Sequence, residues 1–251
     1  YAGDKLMNTG KLTASAVGNT VIYDGSANQD IKTPELSGGV ATYYNLTISG
    51  AGVKVQKAAL TITNDLNINS ADFDCADFDI NIGGDWINSG GTFTEKAGTV
   101  IFDGGGAQTI NTISGEGYYA LELTGGGTAT LIGGNIDIVN TLTMTSGNFI
   151  TGSYRVVLGQ TPNIPGTLTH VSGTVVGYFE RWLPTTTGVT YTFPVGTASN
   201  YNPADVRFNA IGAEGSVISR FVAAGPGNNG LSLNDAGTTI YNSFVDGYWE
   251  L

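Results

Sequence analysis

The stretch TVIYDGSANQDI at residues 20–31 returns as TVIFDGGGAQTI at residues 99–110, so that Thr99 lies 79 residues beyond Thr20. Likeness of this length at a fixed spacing marks an internal repeat. It continues as YYNLTISG at 43–50 against YYALELTG at 118–125, where a shorter loop reduces the offset to 75. LTITNDLNIN at 60–69 then matches IDIVNTLTMT at 136–145, and FDINIGG at 78–84 matches YRVVLGQ at 154–160. Even the opening GDKLMNTG at 3–10 resembles GDWINSGG at 84–91. These matches define two tandem units, 1–82 and 83–160, followed by a segment of different texture, 161–251.

Inside each unit apolar residues alternate: Val21 and Tyr23, Leu46 and Ile48, Val53 and Val55, Leu60 and Ile62, Leu66 and Ile68, Ile80 and Ile82. A period of two predicts strands. Gly, Asn or Asp interrupts them every few residues, and these residues accept tight turns and positive φ. Short strands with frequent corners predict an all-β fold, a right-handed parallel β-helix or β-solenoid, in which each coil buries a row of inward side chains. Coils of about 20 residues stacked about 4.8 Å apart would add about 20 Å per unit. Two flat antiparallel sandwiches are the competing fold, which periodicity does not separate from the solenoid.

After Gln160 prolines become frequent, at Pro162, Pro165, Pro184, Pro194, Pro203 and Pro226, and the strands lengthen. The runs GTVVGYFERWL, YTFPVG, DVRFNAI, SVISRFV and YNSFVDGYWEL predict an antiparallel, β-sandwich-like module over 161–251. Its apolar last strand, and an opening in mid-pattern, mark the chain as a piece of a longer protein.

Charge narrows the partners. Asp and Glu outnumber Lys and Arg by 21 to 10, a net charge of −11, so the cationic footprint needed for nucleic acid or anionic membranes is missing. No apolar run is long enough to insert in a bilayer. Cys75 is the only cysteine, which rules out an internal disulfide.

Taken together, the phrase TV-x-(F/Y)-DG followed by YY-x-L, and the run VVGYFERW, YTFPVG, YNPADVRF and DGYWEL, resemble the large Gly/Thr/Asn-rich, adhesin-like surface proteins of Bacteroidetes-type bacteria, often exported by type IX secretion. The resemblance implies an extracellular, surface-displayed, structural and adhesive role, as part of a filament or stalk, and brings no catalytic motif. Neighbouring repeats, self-association or surface glycans would be the partners. A carbohydrate-binding or carbohydrate-cleaving β-helix is the alternative.

The candidate site residues are few. Asp72, Asp74, Asp77 and Asp79 form the densest group of carboxylates, and hard oxygens at this spacing suit calcium, the one cofactor considered. Phe73, Phe78 and Ile80 interleave with them, so the other reading places these apolar residues inward and the acids on a solvated face. Asp24 and Asp103 begin the Asp-Gly turns of the two copies. His170, the only histidine, lacks a nucleophile motif nearby and reads as structural. Trp86, Tyr118, Tyr119, Trp182 and Trp249 could stack on sugars, although large aromatics more often belong to the core.

Overall fold

The computed structural model describes residues 12–31, 41–113, 115–227, 231–240 and 246–251. The opening GDKLMNTG motif and part of the last expected strand lie outside the described residues. The chain forms a parallel β-solenoid of about seven turns with small antiparallel sheets after it. Each of the earlier coils contributes one strand to each of three faces.

On the first face Thr20–Tyr23, Asn45–Ile48, Leu66–Ile68, Trp86–Asn88, Ala107–Asn111 and Thr128–Ile132 pair in parallel, one coil above the next. The second face begins as Gln29–Asp30, Val53–Val55, Asp72–Asp74 and Phe93–Thr94. The third holds Ala41–Tyr43, Leu60–Ile62, Ile80–Ile82 and Thr99–Phe102. In later coils the corner between the second and third faces is short, and single strands such as Glu116–Leu123 and Ile136–Met144 run across it with a register shift.

Register turns alternation into columns. Tyr43, Ile62, Ile82, Phe102, Leu123 and Met144 are partners in successive coils of the third face, and all are fully buried. Stacking like residues down one column gives a continuous core along the axis, in which each coil completes the burial of its neighbour.

The two copies of the repeat do not lie above one another. Thr20–Tyr23 sits on the first face but Thr99–Phe102 on the third, Gln29 on the second but Gln108 on the first, and Tyr43 on the third but Tyr118 on the second. The second copy starts eleven strands after the first, three coils and two further faces. Each unit therefore turns its features by one face, and rises about 18 Å rather than the about 20 Å expected from four coils. What travels with the phrase is local: Gln29 Oε1 accepts from Gly25 N at 3.0 Å, and Gln108 Oε1 accepts from Gly104 N at 3.1 Å. Both glutamines are buried, so the Asp-Gly turn carries its own buried partner wherever it falls.

The solenoid runs on across both expected boundaries. No break occurs at 82/83, because Ile82 pairs with both Ile62 and Phe102 and the core passes straight through. Nor does the solenoid stop at 160. Thr167–His170 adds in parallel to Ile136–Met144, and Val175–Leu183 adds in parallel to Asn148–Leu158. Pro162 and Pro165 belong to a loop between the second and third faces of one coil, closed by the bridge of Thr161 with Ile164, so they mark an extruded corner.

The antiparallel strands follow. Gly215–Val222 pairs with the outer edge of Val175–Leu183, and Tyr248–Glu250 pairs with Gly215–Val222. Reversing the strand direction covers the backbone edge left by the last coil. Thr190–Phe193 with Ala204–Arg207, and Leu233–Asp235 with Thr238–Ile240, make two further hairpins.

Candidate functional site

The acidic group spans a corner. Asp72 and Asp74 flank inward Phe73 on the second face, while Asp77 and Asp79 lie beyond Cys75, where Ala76 and Asp77 have φ of 50° and 70°. Phe73 and Ile80 point into the core as expected, but Phe78 is 39% exposed, because the left-handed pair at the corner breaks the alternation. The carboxylates act on separate amides: Asp74 Oδ1 accepts from Ala76 N at 2.8 Å, Asp77 Oδ1 from Ala97 N at 2.9 Å and Asp79 Oδ1 from Thr99 N at 2.9 Å. Two of these bonds tie one coil to the next. Among the described residues, no three His, Cys, Asp or Glu side chains come together as a metal-binding group.

Asp77→Ala and Asp79→Ala should each destabilise by about 1 kcal/mol, the usual net worth of one such bond. Asp72→Ala, with an exposed side chain, should change little. Thermal melts in calcium and in chelator check the assignment: the losses should persist, and the two melting temperatures should agree.

The second face hides a cation that alternation places outward. Lys54 is fully buried between half-buried Val53 and Val55, the reverse of the expected pattern. Its ammonium donates to Gly25 O at 2.8 Å, Ala27 O at 3.1 Å and Ala51 O at 2.5 Å. Burial lowers its pKa, opposed by Asp24. The ammonium satisfies three converging carbonyls that an apolar side chain there would leave without a donor. In the second copy Gln108, the counterpart of Gln29, itself donates to carbonyls of the coil below, Ile82 O and Gly84 O. The Gln of the shared phrase was the available signal for these buried polar residues, since an invariant spacing after Asp-Gly in both copies has no role on a solvated face.

The remaining candidates have local partners. Cys75 is buried, donates to Glu95 O at 2.7 Å, and its thiol is pushed above the usual range by burial. His170 Nε2 lies 2.9 Å from Gly173 O, and its ring stacks on Tyr201 at 4.9 Å. Trp86 and Tyr118 are core residues packed edge-on at 5.3 Å. Tyr119 and Trp182 are half-buried, and Trp249 is 48% exposed.

Three of the clefts lined by described residues bear on function. One of about 510 Å³ holds Arg155, Tyr178 and Arg220. Its guanidinium groups are held by Glu180, 2.7 Å from Arg155, and Glu250, 2.5 Å from Arg220, which offsets their charge. A second, of about 290 Å³, reaches Asn88, Phe93 and the buried Glu116. The third, of about 320 Å³, lies between the 197–202 loop and the antiparallel strands and contains Trp249.

Compared with family descriptions, with characterised proteins and with solved structures, the chain gives no match.

Proposed function

We propose that the chain is a non-catalytic shaft segment of an exported, cell-surface adhesive protein, in which stacked coils project a binding surface. One observation carries this reading: the polar groups that a catalytic β-helix would gather in a groove are spent between coils. Asp77 and Asp79 cap amides of the coil above, Asp85 Oδ1 accepts from Thr109 N at 2.7 Å, and Asn135 Oδ1 accepts from Arg155 N at 3.0 Å. Such bonds lengthen a rod, and the one-face turn per unit would present each unit's surface features in three directions along a longer array. The resemblance to adhesin-like surface proteins supports export and display.

Small-angle scattering of the intact chain, with a screen against neutral and acidic polysaccharides, tests the reading. A compact 251-residue sphere has a radius of gyration of roughly 18 Å, and the shaft should exceed it. No polysaccharide should be cleaved. A spherical profile, or turnover lost on Glu116→Gln, would overturn the proposal.

A further inference from the structure

The cleft at Trp249 has the composition of a sugar site, and we propose that it binds a neutral saccharide. This deepens the adhesive reading, and rests on it, by naming the ligand class and the residues.

The floor is an aromatic platform. Trp249 stands opposite Phe221 in the antiparallel ladder, with the rings 5.5 Å apart and edge-on, and its Nε1 donates to Asn202 O at 2.8 Å. The indole is thus fixed at its edge while nearly half its surface stays open. Gly247 lets the backbone pass against Phe221, where a Cβ would come within 2.1 Å of the ring.

The facing wall is equally fixed. Thr197 Oγ1 accepts from Asn200 N at 3.0 Å, Thr197 N donates to Asn200 O at 2.9 Å, and Asn202 N donates to Val195 O at 3.0 Å. Asn148 Nδ2 donates to Ala198 O at 3.1 Å, which ties the loop to the last coils. Both walls therefore rest on strands, and the site is formed before a ligand arrives.

Chemistry selects the occupant. A pyranose offers a C–H face that packs on the negative π-face of an indole, and hydroxyls that both donate and accept. Asn200 and Asp246 present exposed amide and carboxylate groups at the rim, and Asn202 lines the wall that faces the indole. A carboxylate at the rim of a chain carrying −11 disfavours acidic glycans. A volume of about 320 Å³ lies at the small end of ligand sites, roughly 300–1,000 Å³, and fits one or two sugar residues.

The test is a glycan array holding neutral and acidic structures, probed with the intact chain, followed by titration of the bound saccharides. Acrylamide quenching reports the site, because Trp86 is buried and Trp182 half-buried, leaving Trp249 the most accessible tryptophan. A neutral glycan should bind and shield Trp249. Trp249→Ala should weaken binding at least tenfold, Trp249→Phe should restore most of it, and Asp246→Ala, at an exposed side chain, should weaken it several-fold with an unchanged melting temperature. Binding of acidic glycans alone, binding indifferent to Trp249→Ala and Asp246→Ala, or no binding on the array would overturn the site. Scattering separates the two proposals: an elongated profile with no glycan bound removes this site and leaves the shaft, whereas a spherical profile removes the shaft whatever the array reads.

Discussion

Gly173→Ala is expected to lower the melting temperature by roughly 6–15 °C, the effect of about 3–4 kcal/mol in a chain of this size. Gly173 stands in a column at the entrance to the first face, where a Cβ would meet the carbonyl oxygen of the coil below: Gly127 against Gly106 O at 1.8 Å, Gly147 against Gly127 O at 2.3 Å and Gly173 against Gly147 O at 1.8 Å. Backbone from adjacent coils is in direct contact there, so a methyl group has to push whole coils apart. Gly173 also has φ of +93°, which costs an L-residue about 1–2 kcal/mol by itself. Gly152→Ala separates the two causes, since Gly152 has φ of +59° with nothing within 4 Å of the added Cβ. It should lose only the conformational part. Differential scanning calorimetry of the two variants checks this, and equal losses would show that coil-to-coil contact at the column is not what makes Gly173 obligatory.

The same column explains how far the fold was legible. Strand and corner are local properties: an apolar alternation such as Leu60 and Ile62, followed by Asn or Gly, states a short strand and its end, and the structure places both residues in the core. The face on which a strand falls is not local. It depends on the cumulative number of strands, and the phrases beginning at Thr20 and Thr99 are nearly identical yet lie on different faces because eleven strands do not divide by three. Likewise the side on which Lys54 lies is decided by its register with Gln29 below and Phe73 above, a contact between residues about 20 apart. The acidic group at Asp72–Asp74 and beyond was visible as composition, but its use was not. Whether Asp77 faces a cation or the Ala97 amide is settled by where the next coil arrives. Trp249 was legible as an aromatic, whereas its cleft needed the 197–202 loop and a strand nearly fifty residues later to meet.

Acidity should stabilise the solenoid at the buried carboxyl of Glu116. Its carboxyl is buried, accepts at Oε2 from Asn88 Nδ2 at 2.8 Å and Trp86 Nε1 at 3.1 Å, and has no salt-bridge partner among the described residues. Burial raises its pKa, the two donors oppose the rise and Glu95 adds to it. Partial desolvation also raises Asp103 and, with Glu180 adding and Arg155 opposing, Asp137, but both are solvent-exposed and screening leaves them the smaller contribution. A carboxyl whose pKa is higher folded than unfolded binds its proton more tightly in the native state. Its stabilisation is therefore complete below the unfolded value and is lost as pH rises through the folded one. Each pKa unit corresponds to about 1.4 kcal/mol, or roughly 3–5 °C in melting temperature here. The melting temperature should accordingly fall as pH is raised from the ordinary carboxyl range toward neutrality. Glu116→Gln keeps an acceptor for Trp86 and Asn88 without the charge, so it should flatten that slope in part and raise the melting temperature at pH 7. Trp86→Phe removes one donor to the carboxylate and should make the slope steeper. Melts of the three proteins across pH 4–8 check both directions at once; a slope that Glu116→Gln leaves unchanged would assign the pH response to Asp103, Asp137 and the general charge of the chain.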